Sequence, residues 1–199
     1  LCGARTKGTE LQVKINRFSR WTCPAPVFSL YNKSCRILEV HPMKSMYIYT
    51  TLIGPIGIAE QGGAITDVLL GHGLAIADSI TEETPLIREA ARQLESYLEG
   101  NRKAFDLPLA PQGTAFQKDV WNALLSIPCG ETRSYGQIAA QIGRPTACRA
   151  VGMANHRNPI SILIPCHRVI GAQGDLVGYG GGLELKEKLL NLEKGIALK

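Results

Sequence analysis

A thiol and an imidazole stand next to each other at Cys166 and His167, directly after the run Ile160-Ser161-Ile162-Leu163-Ile164-Pro165. A thiolate is the reactive form of cysteine, so a sulfur nucleophile needs a base or a cation close by to take or offset its proton. The pair alone also fits a buried cysteine beside a core histidine. Two features favour chemistry. The apolar run reads as a short buried strand ended by Pro165, whose fixed φ and missing N–H should turn the chain and present Cys166. The second feature is Glu193, in a patterned helix from Leu183 to Lys194. At 100° per residue its carboxylate falls between Leu189 and Leu190, on the border of the apolar face and at the helix end where the dipole disfavours negative charge. Accepting a hydrogen bond from an imidazole would offset both costs. Because adjacent residues do not face each other, His167 is not expected to touch the Cys166 sulfur directly.

The elements that must hold these groups can be read in order. From Tyr47 a strand-like run is turned at Gly54-Pro55-Ile56-Gly57 and again at Gly62-Gly63, which predicts a small antiparallel meander. Thr84 and Pro85 start a helix with Ile87, Ala91, Leu94 and Leu98 on one stripe, stopped by Gly100. His72, between two glycines, reads as a turn residue. Residues 108–113, with two prolines, read as a linker. Thr114 and Gln117 form a capping box, and so do Ser134 and Gln137. The second box opens a short helix closed by Gly143, and Arg144-Pro145-Thr146 opens another that reaches about Asn155. Two short helices around a tight glycine turn predict a helix-turn-helix. Residues 171–182 contain six glycines and suit either a flexible loop or close backbone approach to a flat ligand.

Charge is segregated along the chain. Residues 1–45 carry eight Lys/Arg against two acids, residues 46–110 carry four against nine, and residues 111–199 carry ten against six. Between Thr132 and Gly174 there are five arginines (Arg133, Arg144, Arg149, Arg157, Arg168) and no acid. Such a field suits a polyanion, and with a helix pair inside it the expected partner is DNA. There is no run of 18 apolar residues to cross a membrane and no apolar signal core. Six irregularly spaced cysteines without a Cys-x-x-Cys pair suit a reducing cytoplasm, with no metal or cofactor expected.

The order Pro165-Cys166-His167-Arg168-Val169 after an apolar run, together with Arg149-Ala150-Val151-Gly152, Asn158-Pro159 and Gly178-Tyr179-Gly180-Gly181-Gly182, resembles the O6-alkylguanine-DNA alkyltransferases. The resemblance runs over roughly three quarters of the chain, from about Tyr47. It implies repair of O6-alkylguanine, and of O4-alkylthymine, by irreversible transfer of the alkyl group to Cys166. His167 and Glu193 would complete a Cys-His-Glu relay, and the Tyr135 phenol would serve guanine N3. By the same carry-over, Arg149 would fill the gap left by a flipped nucleotide; Arg144 and Arg157, from the acid-free stretch, are expected on DNA beside it. Asn158 would stabilise the turn between recognition helix and active site, and Ser161, Tyr179 and Gly180 would contact the base. The resemblance also implies a monomer on double-stranded DNA, and a helix pair that enters the minor groove. At Gly180 some relatives carry Ser.

The resulting expectation is an α/β protein. A small α/β N-terminal domain with an antiparallel sheet spans 46–107, and a mainly helical, winged-helix-like domain spans 114–199. Residues 1–45 form a leader or disordered extension. A cysteine hydrolase would leave the arginines unexplained. A helix-turn-helix regulator would leave Cys166, His167 and Glu193 idle.

Overall fold

The computed structural model describes residues 43–71 and 74–198. The expectations for residues 1–42 and for His72 lie outside the described residues. Strand β1 (Lys44–Thr51) pairs antiparallel with β2 (Gly54–Gln61), which pairs antiparallel with β3 (Ala64–Leu70). The meander is as expected, but it starts at Lys44 rather than Tyr47. Residues 44 and 45 therefore belong to the sheet: Lys44 Nζ meets Asp67 at 2.7 Å, and the Ser45 hydroxyl donates to Glu82 at 2.9 Å. A short fourth strand that the sequence reading did not anticipate, β4 (Ser79–Thr81), adds in parallel to the free side of β1, giving the order β3-β2-β1-β4.

Helix α1 (Pro85–Leu98) begins where Thr84 caps the Ile87 N–H, with proline in the first turn. It buries Ile87, Ala90, Leu94, Tyr97 and Leu98 against the sheet. The segment read as a linker is tied to β3: Ile65 N–H donates to Pro108 O and Ala110 N–H to Ile65 O, both at 2.8 Å. The far end of the same edge holds the acceptor segment, because Val68 N–H donates to Pro159 O (2.8 Å) and Ser161 N–H to Val68 O (3.3 Å). An edge that would otherwise offer unpaired backbone groups thus becomes the seat of the functional loop.

Helix α2 (Ala115–Leu125) has the expected Thr114/Gln117 capping box and buries Val120, Trp121 and Leu124. Strand β5 (Arg133–Ser134) leads into α3 (Tyr135–Gln141), whose Ser134/Gln137 box is also complete. Residues 142–147 then turn, and α4 (Cys148–His156) follows. This second helix starts later than the sequence suggested: Arg144, Pro145 and Thr146 lie in the turn, and Ala147 offers no side-chain cap. Trp121 Nε1 donates to Ala154 O at 2.9 Å, pinning α2 to the end of α4. Strand β6 (Val169–Ile170) pairs in parallel with β5, and helix α5 (Leu183–Glu193) closes the chain. One hydrophobic cluster runs without a break from Ile56 and Leu94 through Trp121 and Ile138 to Leu189 and Leu192.

The run 160–164 is not a strand. Ile160 and Ser161 make isolated bridges to Val68 and Ile164, and the chain reverses between them through Ile162, buried at φ 70°. A β-branched residue in the left-handed region is strained, and the surrounding contacts must hold it there. Ile164 N–H returns to Ile160 O (3.0 Å), and Cys166 N–H to Ile164 O (2.8 Å) across Pro165 at φ −80°, ψ 63°. That is an inverse γ-turn. It feeds a single 3-10 turn, Cys166–Arg168, into β6.

Candidate active site

Cys166 opens the 3-10 turn, and the preceding γ-turn tucks it in instead of presenting it to solvent: the residue is 4% exposed. Burial pushes its thiol above the ordinary cysteine value, while the Asn158 amide and the Lys186 ammonium pull it back. The resting sulfur is therefore a neutral thiol that waits for a base. His167, wholly buried, supplies one. Burial lowers its basicity, and the Arg168 and Lys186 charges add to that, against the pull of Glu193. The ring is neutral at rest. Its Nε2–H donates to Glu193 Oε1 at 2.9 Å, which leaves the Nδ1 lone pair as the free base. Nδ1 has no protein partner among the described residues.

Glu193 is the last residue of α5, with its side chain fully buried. Burial would raise its carboxyl, but hydrogen bonds from His167, Arg168 and the Gly130 N–H hold it well below the usual carboxylate range. Arg168 Nε lies 3.0 Å from both oxygens, Nη2 lies 2.8 Å from Oε1, and Gly130 N–H donates to Oε2 at 2.9 Å. The Tyr97 hydroxyl donates to Oε1 at 2.7 Å and lies 3.3 Å from His167 Nε2. The helix-end carboxylate is thus a fixed, largely neutralised acceptor that sets the tautomer and plane of the imidazole.

Tyr135 is brought to the same place by the β5-β6 pair. Arg133 pairs with Val169 and Ser134 with Ile170, so the first residue of α3 stands beside the turn that carries Cys166. Burial raises the Tyr135 phenol, and the neighbouring Cys166 adds to the rise. Its hydroxyl donates to Val177 O at 3.2 Å, within the glycine-rich segment. Tyr179 sits edge-on to the His167 ring, with centroids 6.5 Å apart. A side chain at Gly180 would meet nothing within 4 Å, so a Ser there would fit.

Comparison with known proteins agrees with this geometry. The family described as "6-O-methylguanine DNA methyltransferase, DNA binding domain" matches residues 115–195, and the corresponding "ribonuclease-like domain" matches 45–111. A methylated-DNA–protein-cysteine methyltransferase of Methanosarcina acetivorans is 55% identical over 149 residues, 73% of this chain and 96% of the relative. The constitutive one of Bacillus subtilis is 46% identical over 159 residues, 75% and 96%. The crystal structure of Mycobacterium tuberculosis OGT in complex with DNA superposes with TM-score 0.72 at 47% identity, covering 77% of this chain and 94% of that one. The chain belongs to the methylated-DNA–protein-cysteine methyltransferase family.

Seen as a methyltransferase of this family, the structure brings Glu193 and Tyr179 to the His167 ring and sets Tyr135 beside the turn that carries Cys166. It leaves Arg144 exposed in the turn before α4, Arg149 exposed on α4 and Arg157 exposed just after it, with Arg144 5.5 Å from the centre of the Phe116 ring. Asn158 is buried and braces the acceptor loop: its Nδ2 donates to Ile164 O (2.9 Å), and its Oδ1 accepts from Ile160 N–H (3.1 Å). One assignment changes. Arg168, counted in the basic stretch, is 6% exposed and neutralises Glu193. Ser161 is held through its backbone to Val68 and Ile164, on the sheet side of the loop.

Four residues escaped the sequence reading: Tyr97, Gly130, Asn155 and Lys186. Asn155 Nδ2 donates to Cys166 O at 3.2 Å, tying α4 to the acceptor. Lys186 is fully buried, and its ammonium donates to Val169 O (2.6 Å) and Val177 O (2.9 Å). Its signal was visible: a lysine three residues before Leu189 lies on the apolar face of α5. Tyr97 and Gly130 gave none, since both act through contacts more than 60 residues away in sequence.

Proposed function

We propose that this protein repairs double-stranded DNA by moving the alkyl group of an O6-alkylguanine onto the Cys166 sulfur, once per molecule. The observation that carries the reading is a buried thiol followed in the same turn by a buried imidazole whose Nε2 is clamped by Glu193 and whose Nδ1 has no partner among the described residues. In the reaction, His167 Nδ1 takes the thiol proton through a water, and the thiolate attacks the alkyl carbon. The carbon–oxygen bond breaks with its electron pair left on guanine O6. The resulting imidazolium rests against Glu193. Charge building on the leaving guanine needs a donor, and Tyr135 provides it at N3 once its hydroxyl leaves Val177 O. The Lys186 ammonium offsets the thiolate charge.

The base must be flipped out of the duplex to reach Cys166, at a cost of a few kcal/mol. Helices α3 and α4 act as a helix-turn-helix, with Arg149 filling the vacated stack and Arg144 and Arg157 on phosphates. The sheet half, residues 44–107, supports the helical half, residues 114–199, and the protein works as a monomer in the cytoplasm. O4-alkylthymine is a second substrate. Mass spectrometry after incubation with an O6-methylguanine duplex tests the reading. One methyl group on the peptide containing Cys166 is expected, in an amount equal to the guanine restored. Lesion binding without transfer, or many turnovers per molecule, would contradict it.

A further inference from the structure

Glu193 receives hydrogen bonds from three parts of the chain, and one of them comes from the sheet half. Tyr97 is in the last turn of α1, is 1% exposed, and packs on Phe105 with ring centroids 5.3 Å apart. Its hydroxyl reaches Glu193 Oε1, the oxygen that also accepts from His167 Nε2. We propose that Tyr97 is a positioning residue for alkyl transfer: its hydroxyl fixes the Glu193 carboxylate where it meets the imidazole, and through it the N-terminal sheet governs the chemical step. The inference rests on the reading of His167 as the base that activates Cys166.

Tyr97 has one proton, and the short 2.7 Å contact assigns it to the carboxylate. The 3.3 Å contact to Nε2 is then the Nε2–H sharing itself between Glu193 and the phenol oxygen. A second oxygen therefore tightens the plane that the carboxylate sets, and with it the aim of Nδ1. The phenol cannot ionise in this place, because burial and the Glu193 charge both raise it far above the ordinary tyrosine value. It remains a donor throughout the working range of pH.

The groups that face His167 are Glu193 and Lys186 from α5, Cys166 and Arg168 from its own turn, Tyr179 from the glycine-rich segment, and Tyr97 from α1. Of these, Tyr97 alone is contributed by the sheet half. Removing its hydroxyl takes a donor from Glu193, so the carboxylate keeps more of its charge for the imidazolium. His167 then protonates more readily and loses its role as base at a higher pH.

The test is Tyr97→Phe in the full chain, with Tyr49→Phe as the control. Tyr49 is a second sheet-half tyrosine that donates to a carboxylate, Glu83, at 2.8 Å, away from the relay. Phenylalanine keeps the ring, which matters because Tyr97 also lines a cleft of about 390 Å³ together with Cys129, Leu192 and Lys194. A smaller side chain would let water into the relay. Single-turnover transfer from an O6-methylguanine duplex should slow roughly 3- to 10-fold, a fraction of what a general base contributes. The acid limb of its pH profile should move up by about half a unit to one unit, with affinity for the lesion unchanged. Nitrogen NMR of His167 should show the same displacement of its titration without reference to activity. Tyr49→Phe should move neither. If Tyr97→Phe folds and transfers with an unmoved acid limb and an unmoved His167 titration, the hydroxyl only packs and the proposal is overturned. If the unsubstituted protein does not methylate Cys166 at all, the underlying reading fails first, and this one with it.

Discussion

Substituting Arg168 by Met separates two roles that the sequence could not tell apart. As a member of an acid-free arginine stretch, Arg168 would hold DNA. In the structure it holds Glu193 through Nε and Nη2 and donates to Ile127 O through Nη1 at 2.6 Å, with side-chain exposures of 8% for Arg168 and 0% for Glu193. Removing one partner of a buried ion pair costs about 3–5 kcal/mol. Three donors, from His167, Tyr97 and Gly130, remain on the carboxylate, which places the loss near the lower end. The stranded Ile127 carbonyl adds about 1 kcal/mol. A total near 4 kcal/mol is a large part of the ~5–15 kcal/mol stability of an ordinary domain. With a urea slope of about 2 kcal/mol per molar, the midpoint should fall by about 2 M. Fluorescence of buried Trp121 follows the transition. The salt dependence of DNA binding should be unchanged in Arg168→Met, since no phosphate contact is lost. A midpoint within about 0.5 M of the unsubstituted protein, joined to a salt slope smaller by about one, would refute the buried role and return Arg168 to the DNA surface.

Arg149→Ala should slow repair in duplex DNA more than repair of the free base, which needs no flipping; equal effects would contradict the wedge. The pH dependence of transfer follows from the directions of two shifts. The Cys166 thiol lies above its ordinary value and His167 below its own, so the rate should hold through neutrality and fall only below about pH 6.5, as the imidazole protonates. A fall beginning well above that pH would show a charged resting histidine. Truncation should distinguish Met43 from Met46 as a starting point. A chain from Met43 keeps the Lys44–Asp67 and Ser45–Glu82 contacts, whereas one from Met46 loses both and should unfold at a lower temperature than the chain from Met43.

Local features were legible in the residues. The caps at Thr84, Thr114 and Ser134 need only a hydroxyl three residues before a free N–H, and the structure forms all three. The misfit of Glu193 on its helix was legible too, because periodicity alone shows a carboxylate on an apolar border. What that carboxylate binds was only half visible: His167 could be inferred, whereas Arg168, Tyr97 and Gly130 arrive from distant parts of the chain. Residues 160–164 show the converse. Five mostly apolar residues before a proline read as a strand, yet the edge of β3 captures their first two residues and Ile162 is forced to a positive φ. Side-chain pattern reports which residues avoid water, not which backbone partner they find. Charge was misread for the same reason. A stretch with five arginines and no acid looks like one basic face, but Arg168 finds its acid 25 residues away, in another helix, and Arg133 pairs with Glu131 just ahead of the stretch at 2.8 Å. The types of group at this site were written in the sequence. The tertiary fold decided which of them meet, because an ion pair or a hydrogen bond depends on distance through space rather than along the chain.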